Sequence, residues 1–508
     1  MGRAIDRFTT VAADAGSRPV AQPKVLIVDL NIFASFPTMA IGLLAASMRN
    51  AGLEVDVLAP LAFDAPASQR ERQERFHDHV MRRIHLSDHP RFRAFREAAR
   101  SLRREWIEKS SGIVMREVRR ALDRQPDVVL LSAYLRQYES VQEIAKAARQ
   151  RGIPVILGGP MFNVGRISEN WRAIEGLTAI VGAEMDRDIA GFVRAAISGD
   201  NLLAFRGVTL PDGTRSVPAA PLRKLDDTPI PDYRDFPWDR YPNRIVPIMS
   251  GRGCQWDKCR FCSDVISVSG RTFRTRSVES VLLEMQEQAR RHATSNFLFL
   301  DLKLNSWPDM IRGIAQRIQR LVPGAEWIGT VHVDQREDNG LSKRDLDMAA
   351  DGGLRRVSFG LESGSQRILD AANKGCNVER NSQFLREAHD AGLSLRCTMF
   401  KGYPGETAED MEATADFLEQ HAQYIDRIRF NDFTLMPDTP VWDDVNTAGS
   451  EGAFEIERLD DRRGNSRYRN RQAKTKAYRK AKARALRTVY EINRQPLRDS
   501  ARQFDGLM

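Results

Sequence analysis

Cys254, Cys259 and Cys262 fall within nine consecutive positions, in GCQWDKCRFC, and directly follow the apolar run IVPIMS (245–250). The 508-residue chain has only two other cysteines, Cys376 and Cys397. Whatever this chain folds into must therefore carry three thiols on one loop at the end of a strand-like segment. An odd trio this close together, in a chain whose start (MGRAIDRFTTVAADAGSRPVAQ) lacks an apolar signal-peptide core, fits disulfide chemistry poorly. Zinc would need a fourth Cys or His at ligand spacing, and the nearest downstream histidine is His292. Three thiolates can instead hold a 4Fe-4S cluster by three of its irons and leave the fourth open to a substrate or cosubstrate.

The length calls for two or three domains. PKVLIVDLN (23–31), an amphipathic stretch ending at Gly52 and the run EVDVLAP make a β-α-β start, which predicts a parallel sheet. Arg-rich, helix-patterned sequence interrupts it at about 63–120 and is read as an insertion. Strand signals resume at 126–134, 154–159 and 177–184, so residues 24–202 are expected to form a doubly wound, Rossmann-like α/β domain with its ligand beyond the carboxyl ends of the strands. The Pro- and Asp-rich segment 203–244 reads as a linker. Six further strand candidates, at 245–250, 297–301, 326–333, 355–362, 394–402 and 426–435, alternate with helical stretches and predict a partial (β/α)6 barrel over 245–445. The cysteines then lie in the loop after its first strand.

Residues 446–508 read as a basic, mostly helical extension. The formal net charge of +9 is concentrated there: twelve Lys or Arg and no acid between Arg462 and Arg487 leave about −3 on the rest. Such a tail suits either an acidic partner or a solvated helix face. No apolar run is long enough to cross a bilayer, and the cytoplasm is the expected compartment.

With these motifs in place, the chain resembles the radical S-adenosylmethionine (SAM) superfamily, and its N-terminal half resembles the cobalamin-binding domain that often precedes the barrel. The resemblance rests on GCQWDKCRFC, with Phe261 before the third cysteine, and on VSFGLESGSQRILDAANKG (357–375), MFKGYPGET (399–407) and TLMPDTPVW (434–442) in family order. The gap between the first two cysteines, Gln255 to Lys258, is one residue longer than the commonest family spacing.

The resemblance implies a 4Fe-4S cluster on Cys254, Cys259 and Cys262 whose open iron chelates SAM. Phe261, Asp301, Lys303, Glu362, Gly402 and Glu406 are the implied SAM-binding residues, with Asn305 beside them: Glu362 toward the ribose hydroxyls, the Gly402–Glu406 turn toward the adenine, Asp301 and Lys303 toward the methionine amino group. It further implies cobalamin against Pro37, Leu131, Ser132, Tyr134, Gly158, Gly159, Gly182 and Glu184. The Asp-x-His-x-x-Gly signature for a lower axial ligand is absent, and His77, His79, His85 and His89, inside the insertion, read as surface residues.

Two cofactors together suggest C-methylation of an unactivated carbon in a natural product or peptide, fed by an electron donor such as flavodoxin or ferredoxin, with nucleic acid not expected as a partner. Oxidation, cyclisation or rearrangement is the alternative within the same cofactor set, and a cobalamin or iron-sulfur sensor the alternative outside enzymes. A methylthiotransferase would need three more cysteines in the first domain, and none precedes Cys254.

Overall fold

Short apolar runs bounded by turn residues build two six-stranded sheets. The computed structural model describes residues 22–31, 35–63, 73–87, 89, 91–92, 94–96, 98–99, 112–263, 272–448, 454–460, 462 and 464–507. In the first sheet, β1 (Lys24–Asp29), β2 (Glu54–Leu58), β3 (Val128–Ser132), β4 (Val155–Gly158), β5 (Ala179–Val181) and β6 (Val208–Thr209) stand in the order β2-β1-β3-β4-β5-β6, with only β6 antiparallel. Alternate residues of β1 feed two layers. Val25 and Ile27 pack with Ile41, Ala45 and Met48 of the helix Met39–Asn50. Leu26 and Val28 pack with Val114 and Val118 of the helix Gly112–Asp123 and with Val141 and Ile144 of the helix Tyr138–Arg149. Burial on both faces is what a parallel sheet requires.

The strand β6 falls inside the segment read as linker, so the first sheet runs on to Thr209. Two residues at an edge carry too little alternation to be read from sequence. Beyond them, Tyr233 fills the space left by Gly42, where any side chain would overlap its ring, and its hydroxyl donates to the Pro247 carbonyl, 3.1 Å away.

The second sheet follows. β7 (Val246–Ile248) leads into a small antiparallel pair, β8 (Gly251–Arg252) with β9 (Arg274–Thr275). Then come β10 (Asn296–Phe299), β11 (Glu326–Val331), β12 (Leu354–Glu362), β13 (Ser394–Lys401) and β14 (Arg427–Asp432). The order β7-β10-β11-β12-β13-β14 is parallel throughout, an open partial barrel, and the fold is mixed α/β. Helices cover its outside through apolar residues at helical spacing, as with Met310, Ile311, Ile314, Ala315 and Ile318 of the helix Pro308–Leu321. On the opposite face Leu298 and Ile328 join Phe36, Ile245, Phe504 and Leu507. The extreme C-terminus is thus packed against the barrel interior, and Arg356 donates to the Phe504 carbonyl at 3.1 Å.

The extension is less helical than its composition suggests. β15 (Phe454–Asp460) and β16 (Asn465–Asn470) form an antiparallel hairpin before the long helix Lys476–Asn493. That helix is no solvated rod: Tyr478, Ala481, Ala485, Leu486, Val489 and Ile492 are buried, and it lies along the helix Ala408–His421. Its Arg484 meets Asp416 at 2.8 Å and Glu419 at 2.6 Å. At its end the Asn493 side chain bonds both backbone groups of Ile428 at 2.7 and 2.8 Å, so the open edge at β14 is covered.

The other flank of this helix receives the insertion helix Phe76–His85. His79, expected on the surface, is buried beside Tyr490 with ring centroids 4.8 Å apart. Insertion and extension, separate in sequence, are neighbours in the fold. Leu486→Ala is expected to lower stability by about 2–5 kcal/mol, the usual cost of emptying a buried leucine site, measured by urea denaturation.

Candidate active site

The cysteine loop leaves the barrel at β7 and crosses the carboxyl ends of the strands. All three thiols are half-buried, and none forms a disulfide. Its longer first gap has a physical reason. Trp256 lies flat over the loop that follows the helix Gln366–Ala371, its indole donating to the Asn373 carbonyl at 2.9 Å. Gly375, at φ +69°, supplies the bare backbone on which the ring rests, and any side chain there would overlap it. Asn373 returns a bond to the Lys258 carbonyl at 3.1 Å, and the Arg260 amide donates to the Ala372 carbonyl at 3.0 Å. Residues 255–260 are thus clasped to residues 372–375. Among the described residues no three His, Cys, Asp or Glu side chains converge as the ligands of a single ion would.

Beneath this clasp is a buried cation. The Lys374 ammonium is 3.0 Å from Glu362 Oε1 and 6.0 Å from the centre of the Phe261 ring. Although burial alone would lower its pKa, the charges of Glu362 and the Cys259 and Cys376 sulfurs push it up, so the ammonium stays charged. Burial raises the Cys259 thiol, against the pull of Lys374. Glu362 ends β12 at φ +60°, where the register against β13 shifts, so its carboxylate is turned away from the strand's regular alternation. Phe261 joins Phe400 and Phe433 in an aromatic cluster, with centroids 5.5 and 6.0 Å away.

The remaining barrel residues divide. Asp301 and Lys303 are buried, each with partners inside the protein. Asp301 accepts from the Ser250 amide at 3.0 Å and the Ser250 hydroxyl at 2.6 Å, anchoring the start of the cysteine loop. Lys303 forms a fully buried ion pair with Asp334, 2.6 Å apart. Asn305 bridges the His332 and Asn339 backbones. Burial and the nearby Lys374 and Lys303 charges hold His332 neutral. Glu406 accepts from the Gly402 amide at 2.6 Å and the Tyr478 hydroxyl at 2.5 Å, and burial pushes it up to about 7. His332, Asp334, Lys374 and Tyr478 were not picked out from sequence. The polar residues of TVHVDQR, at the end of β11, were the one signal present.

At the carboxyl ends of the first sheet, Ser132 and Gly158 are partly open and Tyr134 is exposed, while Pro37 is buried. Gly159, at φ +139°, passes so close to the Ala133 carbonyl that no side chain fits, and Gly182 lies as tightly against the Phe162–Asn163 backbone. Leu131 and Glu184 have partners within the protein. Leu131 points into the core, in register with Val28 and Leu157. Glu184 is committed to Arg274 at 2.8 Å and Arg252 at 3.4 Å, and although burial would raise its pKa, those cations hold it down. Asp186 takes Arg252 at 2.6 Å. The loop after β5 is thereby tied to β8 and β9, which flank the cysteine loop. On another side the hairpin reaches across, with Arg462 4.8 Å from the Tyr138 ring centre and its carbonyl accepting from the Trp171 indole at 2.9 Å.

The model of the Radical SAM superfamily matches residues 248–418. Residues 248–418 are a radical SAM domain. It contains the clasp, the Glu362–Lys374 pair and the Gly402–Glu406 turn. An uncharacterised methyltransferase of Pyrococcus horikoshii is 28% identical over 327 residues, covering 63% of this chain and 69% of that one. Among solved structures, the radical SAM methyltransferase TsrM of Kitasatospora setae, with cobalamin and a 4Fe-4S cluster bound, superposes with a TM-score of 0.61 at 18% identity, covering 86% of this chain and 81% of that one. The cobalamin-dependent SAM radical enzyme OxsB, with aqua-cobalamin bound, gives 0.64 at 14% identity, covering 88% and 64%. Both likenesses are of fold, and they extend beyond the radical SAM domain into the first sheet.

Asp301 provides a test of the site's electrostatics. Burial raises its carboxyl to about 6 from the ordinary 3.8. The folded protein therefore holds a proton that the unfolded chain releases between those values, and folding loses stability as pH rises through that window. Relative to Asp301→Asn, the wild type should lose on the order of 1–3 kcal/mol from pH 4 to pH 6 and nothing further above, as read by urea denaturation at each pH.

Proposed function

We propose that this chain is a cobalamin-dependent radical SAM enzyme that methylates an unactivated carbon of a small natural product or peptide. What supports this reading is the pairing of Arg252 and Arg274, which flank the cysteine loop, with Glu184 and Asp186 after β5, which ties the surroundings of that loop to the carboxyl edge of the first sheet. A reaction needing two cofactors within reach of one substrate carbon requires that arrangement.

The residues fit the groups. Three half-buried thiols on one loop are the soft donors an iron-sulfur cluster takes, and they would hold it. Ser132, Gly158 and Gly159 give the first sheet a low, polar rim where a flat cofactor could approach backbone. No histidine stands on that rim among the described residues, His79 being buried beside Tyr490, so cobalamin would sit there without a histidine from this chain. With both groups bound, SAM on the cluster supplies the radical that removes hydrogen and cobalamin supplies the methyl group.

This chain's own residues do the holding. Glu362, turned out of regular alternation and paired with Lys374, presents a carboxylate to the ribose hydroxyls. The Gly402–Glu406 turn lines the adenine side. Phe261, Phe400, Tyr403 and Phe433 make an apolar wall that would keep a reactive radical from unintended partners. Lys303 and Asp301 support the site from behind rather than touching the cofactor. A reduced flavodoxin or ferredoxin is the expected electron source. No helix among the described residues is long and apolar enough to cross a membrane, and the cytoplasm is the proposed compartment.

The test is anaerobic purification from cells supplied with hydroxocobalamin, reconstitution, and measurement of iron, sulfide and cobalamin per chain. About four irons and one cobalamin are expected. Cys259→Ala should lose most of the iron and keep the cobalamin. Four irons without cobalamin would overturn methyl transfer and favour oxidation or rearrangement.

A further inference from the structure

The turn 402–406 is held from outside the barrel. It makes two left-handed glycine bends, Gly402 and Gly405, both at φ +82°. Such a turn has little intrinsic preference for one shape, because glycine reaches many backbone conformations at similar cost. Radical SAM domain residues hold its middle: Arg367 donates to the Gly405 carbonyl at 2.7 Å, and the Tyr403 hydroxyl donates to the Ala371 carbonyl at 3.1 Å. Both ends are held by the C-terminal extension. The Tyr468 hydroxyl, on β16, donates to the Gly402 carbonyl, and Asn470 donates to the Glu406 carbonyl at 3.1 Å. From the long helix, the Tyr478 hydroxyl donates to the Glu406 carboxylate at 2.5 Å, and the same oxygen receives the Gly402 amide at 2.6 Å. Tyr478 and Glu406 are almost wholly shielded from solvent, at 0% and 1% exposure, so water cannot replace a lost donor there.

We propose that Tyr478 and Tyr468 are positioning residues for SAM: the C-terminal extension sets the shape of the Gly402–Glu406 turn and so the affinity of the barrel for this cofactor. The inference rests on the reading of that turn as the adenine side of the SAM site. It gives the extension a task in cofactor binding, where its composition alone suited either an acidic partner or a solvated helix face.

The measurement is equilibrium dialysis of SAM against the anaerobically reconstituted holoenzyme, with iron content and hydrogen exchange of the segment 402–407 followed in parallel. Tyr478→Phe should weaken SAM binding about tenfold, equivalent to about 1.4 kcal/mol, and speed exchange in the turn while iron content stays that of the wild type. Tyr468→Phe should act in the same direction. Leu122→Ala, a fully buried site in the first α/β layer remote from the turn, is the control for lost stability and should bind SAM within twofold of the wild type. Wild-type affinity in both tyrosine variants, or an equal loss in Leu122→Ala, would overturn the proposal. A wild-type holoenzyme that retains iron but does not bind SAM would instead overturn the cofactor reading beneath it.

Discussion

The ion pair between Glu362 and Lys374 is the constraint around which the site is organised. A carboxylate and an ammonium removed from water are tolerable only while they face each other, since separating them would leave an uncompensated charge inside the protein. Holding them together fixes the end of β12 and the loop 372–375 as one piece. Trp256, Lys258 and Arg260 fasten the cysteine loop to that same piece. Phe261 then extends the order outward to the aromatic wall, and the Lys374 charge pulls against the burial that raises the Cys259 thiol.

How much of this was legible depended on how local the signal was. The three cysteines and the strand-helix alternation were readable because each is written in a few consecutive residues, and GYPGET announced a glycine turn at the right place. The partners of those residues were not readable, because they come from elsewhere in the chain. The resemblance singled out Asp301 and Lys303 in FLFLDLKLN, yet nothing local says that Ser250 and Asp334 are already waiting there. Glu184, implied by the same resemblance, likewise meets Arg252 and Arg274, which lie far along the chain.

The C-terminal extension shows the limit from the other direction. A run of twelve basic residues without an acid reads as a solvated or partner-seeking surface. In the fold part of that charge is answered within the chain: Arg484 faces acids of the helix Ala408–His421, and Lys482 reaches the Leu86 carbonyl at 3.0 Å. The apolar stripe at Ala481, Ala485, Leu486, Val489 and Ile492 was the better guide, since it predicts contact whatever the charge around it. Composition described what the segment carries, and spacing described what it does.

The contacts that tie the first sheet to the rest of the chain differ in kind. One set is a nearly buried ionic knot, Glu184 and Asp186 with Arg252 and Arg274; the other, among the described residues, includes the hydrogen bond and cation–π contact of Arg462 and the half-exposed pair of Arg166 with Asp438, 2.9 Å apart. Parting the first strands charges in a low-dielectric setting, whereas parting the second surrenders contacts that water can partly restore. The ionic knot is therefore the costlier of the two to part.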